Sequence, residues 1–250
     1  MRICQMTIEE ILNSTEHRPW DLPKGSWKFY QEWNKAIFLH YKVDLALLRP
    51  FVPAELEIDL IEGEAWVSVV TFTMEKIRPK YLPHFPPISN FDEINIRTYV
   101  KFNGKTGVYF LSIEGGKSLS CKVAKGLSEL PYRYSQMERS INTYHSSNLS
   151  LKDRLALEYE LGAISEEKTA LDKWLTERYA LFQDTAIAIN EFEIHHLEWP
   201  MVEIKLHHYK VSYPRFKEML DQAPDLVHYS NGVKVLAWGK QSFPRNSETD

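Results

Sequence analysis

From Leu56 onward apolar side chains recur at every second position. Leu56, Ile58 and Leu60 alternate with polar neighbours, "EGEA" interrupts them, and Trp66, Ser68, Val70 and Phe72 run back, a pattern that predicts a β-hairpin. The same period marks strands in "AIFLHYKV", "INIRTYVKF", "GVYFLSIE", "DRLALEYEL", "IAINEFEIHH", "MVEIKLHHY" and "VKVLAWGK". Helical spacing is rarer. It predicts one helix over about Lys117 to Glu129, with Leu119, Val123, Leu127 and Leu130 near one stripe and Pro131 ending it. A second runs from about Thr169 to Phe182, with Leu171, Trp174, Leu175 and Arg178 in step. Shorter helical turns follow the Thr7/Glu10 capping box and Asp44, and lie between Pro214 and Leu220. Many strands, few helices and no βαβ alternation predict an α+β chain, mainly antiparallel β. The reading is one domain over residues 1–243, with 1–32 as an N-terminal clasp and a loose tail at 244–250.

Composition narrows the partners. The chain has 250 residues, 44% hydrophobic, with 30 basic against 34 acidic residues and a formal charge of −4. No basic run marks a nucleic-acid or anionic-membrane surface. No stretch of 18 apolar residues would span a bilayer, and "MRICQMTIEEIL" lacks the continuous apolar core of a signal peptide. Cys4 and Cys121 fit neither a disulfide framework nor a metal spacing. A cytoplasmic protein is expected, binding a small molecule rather than nucleic acid or membrane, with a homo-oligomer left open.

Candidate chemistry concentrates in "FDEINIRTYV". In a strand, Glu93, Asn95, Arg97 and Tyr99 share one face and Ile94, Ile96, Thr98 and Val100 the other. The polar face is either a solvated surface with one ion pair or a cavity wall on which Arg97 holds an anion and Glu93 positions it or moves a proton. If the charges are buried, Glu93 and Arg97 should pair with each other or with a ligand. The doublets His195-His196 and His207-His208 invite a metal, but adjacent strand residues point to opposite faces, so each doublet offers one ligand at most. No metal and no cofactor is expected: there is no His-Glu helix motif, phosphate loop, nucleophile elbow or dinucleotide fingerprint.

The series "FLHYKVDLALLRPFVPAELEID", "EAWVSVVTFTMEKIRP", "FDEINIRTYV", "GVYFLS", "ELPY", "WLTERYALF", "HHLEWP" and "HYSNGVKVLAW" resembles, in order, the YqjF-like bacterial family of unknown function, from about Trp33 to Trp238. That family looks like a distant relative of acetoacetate decarboxylase. The resemblance implies a cone-shaped, mostly antiparallel β-barrel with a few flanking helices and a central cavity. It implies that Glu93 faces that cavity and that Lys42 stands where the decarboxylases carry arginine. Their Schiff-base lysine pair falls at Tyr132-Arg133 here. Neither side chain can form an imine, since a tyrosine has no amine and a guanidinium stays protonated. The expected site is therefore His40, Lys42, Glu93, Asn95, Arg97, Tyr132 and Arg133. It should bind a small organic acid or similar polar metabolite without Schiff-base chemistry, and any activity would be non-covalent acid/base or lyase-like. The alternative is a non-enzymatic scaffold with a cone filled by side chains.

Overall fold

A computed structural model describes residues 6–165 and 167–245, apart from the side chains of residues 127 and 128. Its strands begin with β1 (Phe29–Val43), β2 (Glu57–Ile58), β3 (Ala65–Pro79), β4 (Phe91–Phe102) and β5 (Lys105–Gly115). Next come β6 (Arg133–Tyr134), β7 (Gln136–Arg139), β8 (Thr143–Asn148), β9 (Asp153–Ile164) and β10 (Ala180–Asp184). The last are β11 (Ala188–His195), β12 (Met201–Ser212), β13 (Leu226–Ala237) and β14 (Gln241–Pro244). The helices are α1 (Ile8–Asn13), α2 (Leu45–Leu48), α3 (Pro86–Ser89), α4 (Ser118–Ser128), α5 (Ala170–Thr176) and α6 (Lys217–Leu220).

Seven strands form a ring. The sheet runs β11-β10-β5-β4-β3-β1-β13, and β13 pairs back to β11 through Ile194 opposite Ala237 and His195 opposite Leu236. The β5–β10 pair is parallel and the other six pairs of the ring are antiparallel. Beyond β13 the sheet continues through β12, β9, β8 and β7. This extension packs Leu155, Leu157, Tyr159 and Tyr144 against Ile37, Leu39, Val67, Val69, Ile94 and Ile96 on the outer wall of the ring. Phe38, Val70, Phe72, Met74, Phe91 and Trp199 form a second cluster, several of whose members face the interior. β4 therefore has a covered layer on each side, which is why both of its parities are buried from Glu93 to Val100.

Bulges decide which residues point inward. Phe29, Gln31 and Trp33 line the interior on odd numbers, whereas Phe38 does so on an even one. The register between β1 and β3 shifts between Asn34 and Ile37, at Lys35 with φ 52°. A similar shift in β5 opposite Ile96 and Arg97 turns Phe110 inward.

Four expectations change. Residues 56–72 do not form a hairpin: Glu62 and Gly63 turn with positive φ and close only the Ile61–Glu64 bridge. Both edges of β3 are taken by β1 and β4, so β2 adds to the end of β4 instead. The helix expected to reach Phe182 ends at Thr176, because Ala180–Asp184 is needed as the ring strand between β5 and β11. α4 occupies its expected span, but Leu119 is 56% exposed and the face turned inward carries Ser120, Cys121 and Ala124. A Cβ on Gly115 would stand 2.7 Å from Cys121 Sγ, so this helix docks by small residues, not by a leucine stripe; the side chain of Leu127 lies outside the described residues. β7 and β8, rich in Ser, Tyr and charge, carry too little apolar alternation to be read as strands. The tail remains strand to Pro244, and residues 246–250 lie outside the described part.

Candidate functional site

The interior of the ring holds a cavity of about 220 Å³ to which all seven ring strands contribute, together with α4 and the segment after Thr176. Its walls are mainly apolar and aromatic, from Trp33, Phe38, Phe72, Trp199 and their neighbours. Among them stand Glu93, Asn95, Arg97, Tyr132, Arg178 and His196. Such a lining, apolar with a few convergent polar groups, is the usual make-up of a small-molecule site.

Glu93 is 2% exposed. The Tyr132 hydroxyl donates to its Oε2 at 2.7 Å and Asn95 Nδ2 to its Oε1 at 3.3 Å. Burial pushes the Glu93 carboxyl up to about 7, against the pull of those two donors. Burial, joined by the Glu93 charge, also drives the Tyr132 hydroxyl well above its ordinary range, so it remains a donor.

Two guanidinium groups also line the cavity, Arg97 on the same strand as Glu93 and Arg178 on the segment after α5, and they are held differently. Arg178 Nη1 donates to Asp59 Oδ2 at 2.7 Å, and its guanidinium lies 4.3 Å from the centre of the Trp174 ring and 4.9 Å from that of Tyr99. Arg97 has no carboxylate within 4.0 Å among the described residues. Its Nη2 reaches the Leu175 carbonyl at 3.4 Å, and its guanidinium carbon lies 5.5 Å from the centre of the Phe38 ring. Arg97 Nε, Arg178 Nη2 and Asn95 Oδ1 are buried with no hydrogen-bond partner among the described residues. Two donors and one acceptor are thus left unsatisfied around one cavity, a costly arrangement in an interior, and a bound oxyanion would relieve the two donors. Of the two pairings open to Glu93 and Arg97, with each other or with a ligand, the ion pair with each other is absent among the described residues.

The other expected site residues lie elsewhere. His40 is fully buried beneath the cavity floor, on the far side of Phe38, in contact with Ser68 and His228. Lys42 is exposed, its Nζ 5.6 Å from the Trp66 ring centre. Arg133 sits on the outer wall, where it reaches Ser112, Glu114 at 3.5 Å and Asp153 at 3.9 Å. Tyr132 turns in and Arg133 turns out, as alternate residues of an extended segment do. Among the described residues, the lysine lining the cavity is Lys240, bound to Glu129 at 2.8 Å.

The doublet at His195 divides between faces. His195 meets the Ile11 carbonyl at 2.7 Å under α1, while His196 lines the cavity and meets the Leu197 carbonyl at 2.7 Å. Arg178 and His196 were not singled out as site residues in the sequence. Arg178 was hidden by its place in helical step with Leu171 and Leu175, and His196 by its twin.

Glu93 gives a pH-dependent prediction. Its carboxyl titrates near 7 in the folded chain and near 4.5 when unfolded, so between these values only the folded form keeps the proton. The stability it contributes is present below about 4.5, falls across that window and is gone above about 7. Glu93→Gln should remove this slope and raise the unfolding free energy at pH 8 by about 3 kcal/mol, with little change at pH 4. Denaturant unfolding across the pH range measures it, and equal slopes for both proteins would mean that Glu93 is not protonated near neutrality.

The mostly antiparallel ring and its few flanking helices define an acetoacetate decarboxylase-like fold. An acetoacetate decarboxylase-like enzyme from Sphingomonas wittichii RW1 superposes with a TM-score of 0.57 at 14% identity, covering 96% of this chain and 98% of the other. The enduracididine biosynthesis enzyme MppR complexed with pyruvate superposes at 0.58 and 12% identity, covering 90% and 93%. The chain belongs to the family DUF2071, described as an uncharacterized conserved protein, whose pattern matches residues 30–234. It is 33% identical over 228 residues to the uncharacterized protein YqjF of Bacillus subtilis (strain 168), covering 87% of this chain and 93% of that one. No helix among the described residues is long and apolar enough to cross a membrane.

Proposed function

We propose that the protein binds a small organic monoacid in the ring interior, carboxylate toward Arg97 and Arg178 and the remainder against the aromatic wall, in the cytoplasm. The observation that carries this is Arg97: a buried cation lining the cavity, with no carboxylate partner among the described residues and an unsatisfied Nε. A buried charge is expensive unless paired, so the site is arranged for an anion brought from outside. MppR, which shares the fold, has been obtained complexed with pyruvate, and that makes pyruvate a rational first probe. Glu93 with its Tyr132 donor supplies a group able to give or take a proton near neutral pH, so acid/base turnover of the acid is compatible with the site. A filled scaffold fits less well, because the interior retains a cavity between Glu93 and Arg97.

The test is thermal unfolding with pyruvate, benzoate and hexanoate, each beside its uncharged amide. Stabilisation follows occupancy and reaches about 2.7 kcal/mol at a hundredfold excess over Kd, so a binder raises the midpoint with the logarithm of its concentration above Kd and its amide does not. No shift with any acid would leave the scaffold reading. Borohydride treatment with 2-oxo and 3-oxo acids should leave the protein mass unchanged, since Tyr132 and Arg133 cannot form an imine. A stable adduct at Lys240 would overturn that part.

A further inference from the structure

The two ends of the Asn95 amide meet different surroundings. Asn95 lies between Glu93 and Arg97 on the inward parity of β4, lines the cavity and is 2% exposed. Its Nδ2 donates to Glu93 Oε1 at 3.3 Å, while its Oδ1 is buried and accepts from no described residue. Glu93 dictates that orientation. An ionised carboxylate only accepts, so the end of the amide that faces Oε1 has to be the amine end. The carbonyl end is then turned away from Glu93 with its lone pairs unused. Arg97 Nε, a donor two residues along the same face, is itself unpartnered, so the two groups do not satisfy each other.

A buried acceptor left empty costs free energy, and a site that offers one discriminates against ligands that cannot fill it. The donor that suits this cavity is uncharged. An ammonium needs acceptors for three hydrogens among walls that are mainly apolar and aromatic, whereas a hydroxyl needs one. Residues two apart on one face of a strand are only about 7 Å apart, so a carboxylate on Arg97 brings its own neighbouring carbon within range of Asn95. We propose that Asn95 makes the cavity selective for 2-hydroxy acids, its Oδ1 accepting from the hydroxyl while the carboxylate meets Arg97. The inference deepens the organic-acid reading and rests on it for the carboxylate.

Glu93 is the positioning residue for this choice. Its Oε2 holds the Tyr132 donor at 2.7 Å, so a proton taken up by Glu93 sits on Oε1, which then donates toward Asn95. The amide turns over, Oδ1 to Glu93 and Nδ2 to the cavity. A hydroxyl can accept from Nδ2 as readily as it donates to Oδ1, but a 2-oxo group can only accept. The ionised site therefore favours the 2-hydroxy acid over the 2-oxo acid, and the protonated site takes both. Burial, against the pull of its two donors, places the Glu93 titration at about 7. The Cys121 thiol on α4 and the Tyr144 hydroxyl on β8, which feel the Glu93 charge, are both pushed up by burial and stay neutral there, and burial holds His196 below its ordinary range. The remaining charges lining the cavity among the described residues are Arg97, Arg178 and Lys240.

Calorimetric titration at about pH 8.5 and about pH 6, on either side of the Glu93 titration, compares hexanoate, 2-hydroxyhexanoate and 2-oxohexanoate, the first two also as uncharged methyl esters. At the higher pH the 2-hydroxy acid should bind roughly 5- to 150-fold more tightly than hexanoate, and the 2-oxo acid no more tightly than hexanoate. Every acid weakens as Glu93 gains its charge, so the readout is the preference for the hydroxy over the oxo acid, which should shrink at about pH 6. Glu93→Gln, with its carbonyl on Tyr132 and its NH₂ turned to Asn95, should show the small preference at both pH values. Asn95→Leu should bind 2-hydroxyhexanoate and hexanoate alike at either pH. Hexanoate equal to its hydroxy acid at the higher pH, or a hydroxy-over-oxo preference untouched by pH and by Glu93→Gln, would overturn the proposal and leave the organic-acid reading in place. A hydroxyl preference that follows Asn95 among the esters, with acids binding no better than esters, would overturn the organic-acid reading alone. No binding of any of the five compounds would overturn both.

Discussion

Replacing Arg97 with methionine should abolish carboxylate-induced stabilisation while leaving the unliganded midpoint unchanged or higher. A partner lost from a buried charge-assisted contact costs roughly 2–5 kcal/mol of binding, about 30-fold in Kd at the least. The unliganded protein should not suffer, because Arg97 gives up no ion pair. Its recorded hydrogen bond is the 3.4 Å reach to Leu175, and its Nε is unsatisfied. Methionine keeps much of the length and packs well against an aromatic face such as Phe38, which already lies under the guanidinium. Thermal unfolding with and without 1 equivalent to a large excess of each acid gives both numbers. Retained acid-induced shifts would remove Arg97 from the site. A loss of unliganded stability of about 2 kcal/mol would instead make Arg97 a structural residue.

How far the sequence reveals this site depends on how local each cause is. The parity of "EINIRTYV" is a property of one strand, and Glu93, Asn95 and Arg97 do share the cavity wall. That both faces of the strand are covered depends on the β7–β9 extension folding over the ring, and β7 and β8 have little apolar periodicity to announce them. His40 illustrates a subtler difficulty. It shares a face with Phe38, but their place relative to Trp33 depends on the bulge at Lys35, a backbone irregularity that no spacing encodes. Arg178 was concealed by a conflict between levels. Residues 170–182 keep helical spacing, yet the ring needs a strand beside β5, and sheet pairing prevailed over local preference. Tyr132 and Arg133 could be placed at the family's reactive position by resemblance, whereas only the structure separates one facing Glu93 from one facing Glu114.

The second guanidinium of the cavity should behave in the opposite way when removed. Arg178→Met leaves the Asp59 carboxylate, 3% exposed, without its 2.7 Å partner, and breaking a buried pair from one side costs about 3–5 kcal/mol. Lys101 Nζ lies 3.3 Å from the other Asp59 oxygen and keeps one cation in place, which sets the expectation at about 3 kcal/mol, the lower end of that range. For a chain of this size that corresponds to a midpoint lowered by roughly 6–12 °C. Part of the loss will come from the Trp174 and Tyr99 rings against which the guanidinium lies, so the ionic share has to be isolated. Adding Asp59→Asn removes the stranded charge while Asn retains the shape. The double variant should regain stability over Arg178→Met alone if the pair is the cause, and the cycle measures the coupling directly. Taken with Arg97→Met, the comparison separates a cation that holds the ring together from one kept for a ligand. Equal losses from the two replacements would mean that the missing carboxylate beside Arg97 has no functional meaning.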